Sequence, residues 1–228
     1  MKKQYEENPF EDELIAKQWI NSVEGEKEMV RDNESYPKLR KWFDSTSKGL
    51  LIDIGSGQGV CSDKINGYSQ YIGVEPSSFL VDRAKELYFA SNRNFIVGNA
   101  YDLPLENNSC DQAISLNVWF HLEDISQASK ELCRVLKSGG KFWIHTANSE
   151  SLEAWKDFYI NPKIENNKMI GEVKVPVNNL SNNIFYLHTN QDIQKAFEES
   201  GLVVDSVNKV WKIDNKDEMF VIFEGHKK

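Results

Sequence analysis

The sequence is poor in cysteine and has no apolar run long enough to cross a membrane. Its three cysteines, Cys61, Cys110 and Cys133, are not paired at CxxC spacing, which argues against a disulfide framework and a zinc motif, and we expect no metal. No segment approaches the ~18 consecutive apolar residues of a membrane span. The chain turns acidic within its first seven residues, where a signal peptide needs an apolar run, so we expect a cytoplasmic protein without membrane contact.

Basic residues are also fewer than acidic residues. The 228 residues carry 35 acidic and 27 basic side chains, a net charge of −8. Binding along a nucleic acid needs clustered Lys and Arg, so a nucleic-acid partner is not expected, although a small local basic site is compatible with this composition. The 40% apolar content is typical of a packed globular protein, and the length predicts one domain with additions.

Short apolar runs alternate with helical patterns from residue 50 onwards. Strands are predicted over residues 50–54, 71–74, 95–97, 112–116 and 141–144, and helices over residues 79–89 and from Ile125 to Gly139. Two helices, over residues 8–24 and 36–43, precede this region. The alternation predicts an α/β fold with a parallel sheet and helices on both faces.

The alternation breaks after Ser151. The following elements are predicted in order: a helix over 152–159, extended segments over 172–177 and 184–188 around an Asn-rich turn, a helix capped by Thr189, and strands over 202–207 and 219–223. We therefore predict a helical cap at residues 1–48 and a core at 49–228 that carries a substrate-site insertion at 150–188.

The strongest local signal is Asp53-Ile54-Gly55-Ser56-Gly57-Gln58-Gly59, directly after the first predicted strand. Glycines at alternate positions let the backbone turn sharply and let a ligand approach without meeting Cβ atoms. Glu75 ends the next strand, where a carboxylate can accept from both ribose hydroxyls of a nucleoside. The alternative interpretations are that the glycines form a tight turn without a ligand and that Glu75 is a solvated acid in a loop.

The spacing of the glycines narrows the ligand class. A dinucleotide loop has the form GxGxxG, whereas this loop is GxGxG, and no Lys-Ser or Lys-Thr pair follows it, which excludes a P-loop. Asp53 beside the loop suits a cationic group, such as an α-amino group, better than it suits a phosphate.

These residues resemble the class I S-adenosylmethionine-dependent methyltransferases, in the branch of small-molecule and quinone methyltransferases. The motifs that carry the resemblance lie in order at residues 51–59, 73–77, 98–105, 109–111 and 134–140. It covers roughly residues 30–147 in detail and runs more loosely from 188 to the end. It implies a Rossmann-like doubly wound sheet of seven strands, mostly parallel with an antiparallel last strand.

The resemblance also implies S-adenosylmethionine as the cofactor, S-adenosylhomocysteine as its product, and a set of binding residues. Asp53, Gly55 and Gly57 would hold the methionine end, and Glu75 would bind the ribose. The other implied contacts are Ser56 and Gly59 in the loop, Pro76, Asn99, Ala100 and Tyr101 around the adenine, Asn117 near the sulfonium and Arg31 at the cofactor carboxylate. The chain departs from the family's common residues with Asn99 for aspartate, Ser56 for cysteine or threonine, Cys110 for phenylalanine and Ser138 for proline.

The sequence leaves the acceptor chemistry open. His121 is a candidate general base, but packing or helix capping also explains it, and no catalytic residue is assigned. An aromatic set either lines an acceptor pocket or packs the cap and insertion onto the sheet: Trp19, Tyr36, Trp155, Phe158, Tyr159, Phe185 and Tyr186. We expect a small-molecule acceptor and a monomer or homodimer. The alternatives are an RNA or protein methyltransferase, a non-catalytic cofactor-binding module and an NAD enzyme with a short loop.

Overall fold

The computed structural model describes residue 10 and residues 12–25, 31–46, 48–173, 180–212 and 218–228. Helix α1 (Glu13–Gly25), a π-helical turn (Arg31–Ser35) and helix α2 (Tyr36–Asp44) form the N-terminal part. Pro37 stands in the first turn of α2, where its missing N–H costs no hydrogen bond. The residues expected to start the first helix, Asn8, Pro9 and Glu11, lie outside the described residues, as do residues 178 and 179 of the Asn-rich turn predicted at 178–183. The rest of that predicted turn, residues 180–183, is extended and pairs with a neighbouring strand.

A seven-stranded sheet forms the centre of the protein. Its strands are β1 (Leu50–Ile54), β2 (Gln70–Glu75), β3 (Arg93–Val97), β4 (Cys110–Leu116), β5 (Leu136–Ala147), β9 (Leu202–Lys212) and β10 (Glu218–Lys227). The order is β3-β2-β1-β4-β5-β10-β9, and β10 runs antiparallel to both of its neighbours whereas the first five strands are parallel. The predicted doubly wound sheet with an antiparallel last strand is confirmed.

Helices cover both faces of this sheet. They are α3 (Cys61–Lys64), α4 (Ser78–Leu87), α5 (Ile125–Val135) and α7 (Asn190–Glu199), with Ser77, Asp124 and Thr189 as N-caps. Leu51 belongs to the core that contains α2 and α4 residues, and its neighbour Ile52 belongs to the core that contains α5 and α7 residues. Successive strand residues point to opposite faces, so the apolar side chains of β1 pack into both cores.

Residues 152–186 form elements outside the main sheet. Helix α6 (Leu152–Lys156) is followed by a three-stranded antiparallel sheet of β6 (Tyr159–Glu165), β7 (Lys168–Val173) and β8 (Leu180–Tyr186). The sequence predicted neither β6 nor the early end of α6, because the Asn161-Pro162 pair within the segment is typical of a turn and not of a strand. The division into cap, core and insertion stays a prediction.

A second difference concerns the end of α5. The helix ends at Val135, not at Gly139, because Leu136 adopts an extended conformation and begins β5 beside Cys110. The sequence Lys137-Ser138-Gly139-Gly140 therefore belongs to the strand.

The chain order places a crevice beside β1. The chain moves outward from β1 to β2 and β3 and then returns to add β4 on the other side of β1. Loops that follow β1 and β4 consequently diverge, which is the usual ligand position in open α/β sheets. Among the described helices, none is long and apolar enough to cross a membrane.

Candidate functional site

The predicted binding residues lie at the carboxyl ends of four parallel strands, which share one edge of the sheet. Asp53 is near the end of β1, Glu75 is the last residue of β2, residues 99–101 follow β3, and Asn117 comes directly after β4. The fold therefore collects residues that are distant in the sequence around the crevice beside β1.

The glycine loop folds back onto the end of β2. The N–H groups of Gly55 and Ser56 donate to the Val74 carbonyl at 2.8 and 3.1 Å. A Cβ at Gly55 would lie 2.3 Å from Val118, whereas a Cβ at Gly57, where φ is +54°, would meet nothing within 4 Å. Gly55 is thus constrained by packing, and Gly57 borders open space at the crevice.

The loop offers one further polar group. The Ser56 hydroxyl oxygen is buried, and no described residue forms a hydrogen bond with it. A buried hydroxyl without a partner is costly, so this oxygen is available to a ligand. The helix after the loop is a single turn, Cys61–Lys64, so its dipole contributes less than a long helix would.

Glu75 links the glycine loop to the turn after β2. Its carboxylate accepts the N–H of Gly57 at 3.1 Å and the N–H of Ser77 at 3.1 Å. The side chain is 5% exposed, and each carboxylate oxygen has a second lone pair. The arrangement fixes the carboxylate beside the loop.

Asp53 is buried beneath the loop. The hydroxyl of Tyr71 donates to Asp53 Oδ2. Burial raises the pKa of the Asp53 carboxyl to about 7, and hydrogen bonds from Tyr71 and Cys61 oppose the rise. A carboxyl with this pKa loses its proton readily when a cation approaches.

The raised pKa predicts how the stability of the ligand-free protein depends on pH. The folded carboxyl keeps its proton up to about pH 7, whereas an unfolded one loses it near pH 4, so the contribution of Asp53 to the free energy of unfolding falls as pH rises between these values. Burial lowers the pKa of His121 and of His145, and these two groups contribute in the opposite direction. We expect the free energy of unfolding of the wild type minus that of Asp53→Asn to fall from about pH 5 through pH 6 to pH 7 in urea titrations, because the two proteins share the histidine contribution. Parallel profiles for the wild type and Asp53→Asn would contradict the buried carboxyl, and the exposed Asp82→Asn serves as the control.

The segment after β3 supplies an Asx turn beside a buried alanine. The Asn99 side-chain oxygen accepts the N–H of Tyr101 at 2.9 Å and of Asp102 at 3.1 Å. Ala100 is 7% exposed, and the Tyr101 hydroxyl accepts the N–H of Glu123 at 2.9 Å. The amide oxygen of Asn99, a residue that the resemblance places at the adenine, therefore already accepts hydrogen bonds within its own turn.

Asn117 and Arg31 reach the same region from opposite parts of the chain. The Asn117 side chain contacts His145, with 2.9 Å between Oδ1 and Nδ1. Arg31 lies over the Trp19 ring, 5.7 Å from its centre. Burial and Asp53 raise the pKa of the Cys61 thiol, and the positive charge of Arg31 opposes this rise. The guanidinium therefore lies near the glycine loop.

His121 bridges the main sheet and the insertion. Its Nδ1 lies 2.9 Å from the Ile184 carbonyl of β8, so Nδ1 carries the proton and Nε2 carries the lone pair. Burial lowers the pKa of His121 to about 4. The imidazole is neutral at physiological pH.

The aromatic residues pack against one another. Trp155 lies 5.5 Å from Phe185 and 5.3 Å from Phe220 by ring centres, and Phe185 is 1% exposed. Tyr36, at 4% exposure, belongs to the core beneath α2. These contacts attach the insertion and α2 to the sheet.

The sequence did not indicate two residues that contribute to the site, Tyr71 and Ser35. Tyr71 fits the apolar pattern of β2, and its hydroxyl contact with Asp53 depends on tertiary packing. Ser35 lies in the turn before α2 and contacts His145 across 110 residues. In the described part of the chain, no three His, Cys, Asp or Glu side chains cluster as metal ligands do.

Comparison with known proteins finds a matching family and several relatives. A methyltransferase-domain family matches residues 52–144. An uncharacterized methyltransferase of Schizosaccharomyces pombe is 34% identical over 102 residues, which are 40% of this chain and 37% of that protein. A ubiquinone/menaquinone biosynthesis C-methyltransferase of Rickettsia felis is 27% identical over 157 residues, 61% of this chain and 63% of its own. The chain thus spans less than two thirds of these relatives.

The fold is also found in solved structures. A putative methyltransferase from Haloferax volcanii, solved in complex with the Trm112 methyltransferase activator, superposes with a TM-score of 0.66 at 16% identity and covers 95% of this chain and 98% of that one. The strand order, the glycine loop with Glu75 and the family match agree with one another. The family match and the fold support the assignment of this chain to the class I S-adenosylmethionine-dependent methyltransferases.

Proposed function

We propose that this protein transfers a methyl group from S-adenosylmethionine to a small-molecule acceptor at oxygen, nitrogen or carbon. The observation that carries the proposal is the contact between Glu75 and the N–H of Gly57, at 3.1 Å, beside a Gly57 that borders open space. A carboxylate held beside an open glycine turn fits a nucleoside with a free ribose diol.

The cofactor would contact residues from four strand ends. Glu75 would accept from the ribose hydroxyls, and the Asp53 carboxylate would balance the charge of the methionine amino group. The backbone of Gly55, Ser56, Gly57 and Gly59 would surround the methionine end, Pro76, Asn99, Ala100 and Tyr101 would flank the adenine, and Arg31 would pair with the carboxylate. Ser56 fits this assignment because its buried hydroxyl has no described partner.

Methyl transfer from a sulfonium depends more on the alignment of donor and acceptor than on acid–base groups. When bound, S-adenosylmethionine supplies a methyl group on a sulfonium, a good leaving group for in-line displacement. The protein's part is to orient the two reactants and exclude water, which contributes up to ~7–11 kcal/mol. The neutral imidazole of His121, with its Nε2 lone pair, is a candidate base for an acceptor that must lose a proton.

A cavity lies between the loop after β4 and the insertion, near the residue proposed to flank the adenine. Its volume is about 250 Å³, and its lining residues come from the loop after β4 and from the insertion: Glu123, Asn166, Asn167, Lys168, Tyr186 and His188. The N–H of Glu123 donates to the Tyr101 hydroxyl, so the cavity adjoins the proposed adenine side of the cofactor site.

The proposal is tested by ligand-dependent thermal stability. We expect S-adenosylmethionine and S-adenosylhomocysteine to raise the unfolding midpoint, since a ligand at about 100 times its Kd adds about 2.7 kcal/mol of stability. NAD should leave the midpoint unchanged. A shift with NAD alone, or with none of the three compounds, would overturn the proposed cofactor.

A macromolecular acceptor is the second candidate, and the Haloferax volcanii methyltransferase solved with the Trm112 activator favours it. The net charge of −8 weighs against an RNA substrate. Incubation of the enzyme and methyl-labelled S-adenosylmethionine with a fractionated extract distinguishes the candidates. Label in the small-molecule fraction supports our proposal, and label in RNA or protein supports the second candidate.

A further inference from the structure

A buried hydrogen-bond chain joins Asn117 to the N-terminal part of the protein through His145. Asn117 Oδ1 lies 2.9 Å from His145 Nδ1, and His145 Nε2 lies 3.2 Å from Ser35 Oγ. The Asn117 N–H also donates to the His145 carbonyl at 2.8 Å. Ser35 and His145 are each 1% exposed, so water does not compete for these bonds.

The partners fix the tautomer of the imidazole. The amide oxygen of Asn117 can only accept, so His145 Nδ1 carries the proton, and the Ser35 hydroxyl donates to Nε2. Burial, together with the positive charges of Arg31 and Lys38, lowers the pKa of His145 to about 3. The ring therefore stays neutral, and its donor and acceptor ends do not exchange with pH.

The rigid ring determines how Asn117 presents its amide. Asn117 has a φ of +63°, a left-handed conformation that asparagine tolerates better than most residues. Its oxygen is directed to His145, and no described residue accepts a hydrogen bond from its Nδ2. The neighbouring Val118 packs where a Cβ on Gly55 would lie, so the amide stands next to the glycine loop.

We propose that His145 is a positioning residue that holds the Asn117 amide with its nitrogen toward the cofactor site and ties this orientation to Ser35. This inference rests on the proposed function, because Asn117 is the residue proposed to lie near the sulfonium. An N–H donor beside the sulfur atom disfavours binding of the cationic sulfonium of S-adenosylmethionine relative to the neutral thioether of S-adenosylhomocysteine. His145 thereby influences how the site discriminates S-adenosylmethionine from S-adenosylhomocysteine.

Two variants of His145 and one control variant separate positioning from bulk packing. His145→Phe keeps a flat ring between Trp143 and Phe220, which flank it at 5.7 and 4.7 Å, but removes both hydrogen bonds. His145→Asn keeps a side-chain N–H at the position of Nδ1 and loses the bond to Ser35. The matched control is His226→Phe, on β10, whose imidazole pairs with Asp205 outside the site.

The measurement is the ratio of the dissociation constants for S-adenosylmethionine and S-adenosylhomocysteine, by calorimetry. We expect His145→Phe to change the ratio by about threefold or more, and His145→Asn and His226→Phe to keep it within about 1.5-fold. An unchanged ratio in folded His145→Phe overturns the positioning role. If the wild type binds neither compound, the proposed function itself fails.

Nitrogen-15 NMR of the labelled wild type provides a readout that does not depend on the variants folding. We expect His145 to show the neutral Nδ1–H tautomer from about pH 5 to pH 8, with assignment by the His145→Asn spectrum or, should that variant not fold, by Ser35→Ala. An Nε2–H tautomer, or a protonated ring in this range, contradicts the proposed hydrogen-bond chain.

Discussion

Gly57→Val is expected to lower the affinity for S-adenosylmethionine by about 100-fold or more while the protein stays folded. A Cβ at Gly57 meets no protein atom within 4 Å, so the added side chain enters the space proposed for the cofactor. The left-handed backbone at this position, with φ +54°, adds a strain of roughly 1–2 kcal/mol that lowers stability but is separate from the loss of binding.

Gly139→Val is the matched control for that strain. Gly139 also has a positive φ, +74°, and a Cβ there also meets nothing within 4 Å, but it lies near the start of β5, away from the crevice. The two variants should therefore lose similar stability in thermal melts, and only Gly57→Val should lose binding in calorimetry. Equal affinities for the two variants would show that Gly57 does not border the cofactor.

Gly59→Ala completes the comparison. A Cβ at Gly59 would lie 2.7 Å from the Phe95 ring and 3.0 Å from the Ala84 Cβ. This variant should lower the unfolding midpoint more than Gly57→Val does, because the methyl group overlaps the packed core beneath α4. The proposal thus predicts that Gly57 contacts the ligand, whereas Gly59 is required by packing.

Glu75→Ala should weaken S-adenosylmethionine binding by about 100-fold or more. A hydrogen bond to a charged group is worth about 1.5–3 kcal/mol, so two bonds to a ribose diol correspond to at least that factor. Glu75→Gln should retain part of the affinity, because one side-chain oxygen can still accept. The measurement is calorimetric titration with S-adenosylmethionine.

The control for Glu75 is Glu86→Ala, which removes an exposed carboxylate from the last turn of α4 that pairs with Arg83. It should bind S-adenosylmethionine as the wild type does. Because Glu75 also accepts the N–H groups of Gly57 and Ser77, its loss should lower the thermal midpoint as well. Wild-type affinity in a folded Glu75→Ala protein would remove Glu75 from the site.

The sequence alone predicted the sheet and the position of the loop at its edge. The predicted strand over residues 50–54 has the observed bounds, and the helix from Ile125 ends four residues before its predicted end at Gly139. Local patterns succeed here because each strand of a parallel sheet is buried on both faces and so must be apolar throughout. The exposed strand β6 has no such constraint, and no pattern marked it.

What the sequence by itself determined is the α/β class, the glycine loop and its acidic partner, all of which depend on local periodicity and short motifs. Tertiary structure decided that Tyr71 hydrogen bonds to Asp53, that Gly57 and not Gly59 borders open space, and that Ser35 reaches His145. These contacts join residues 18 to 110 positions apart. No local pattern encodes them, because burial and hydrogen-bond geometry at one residue depend on which distant elements pack against it.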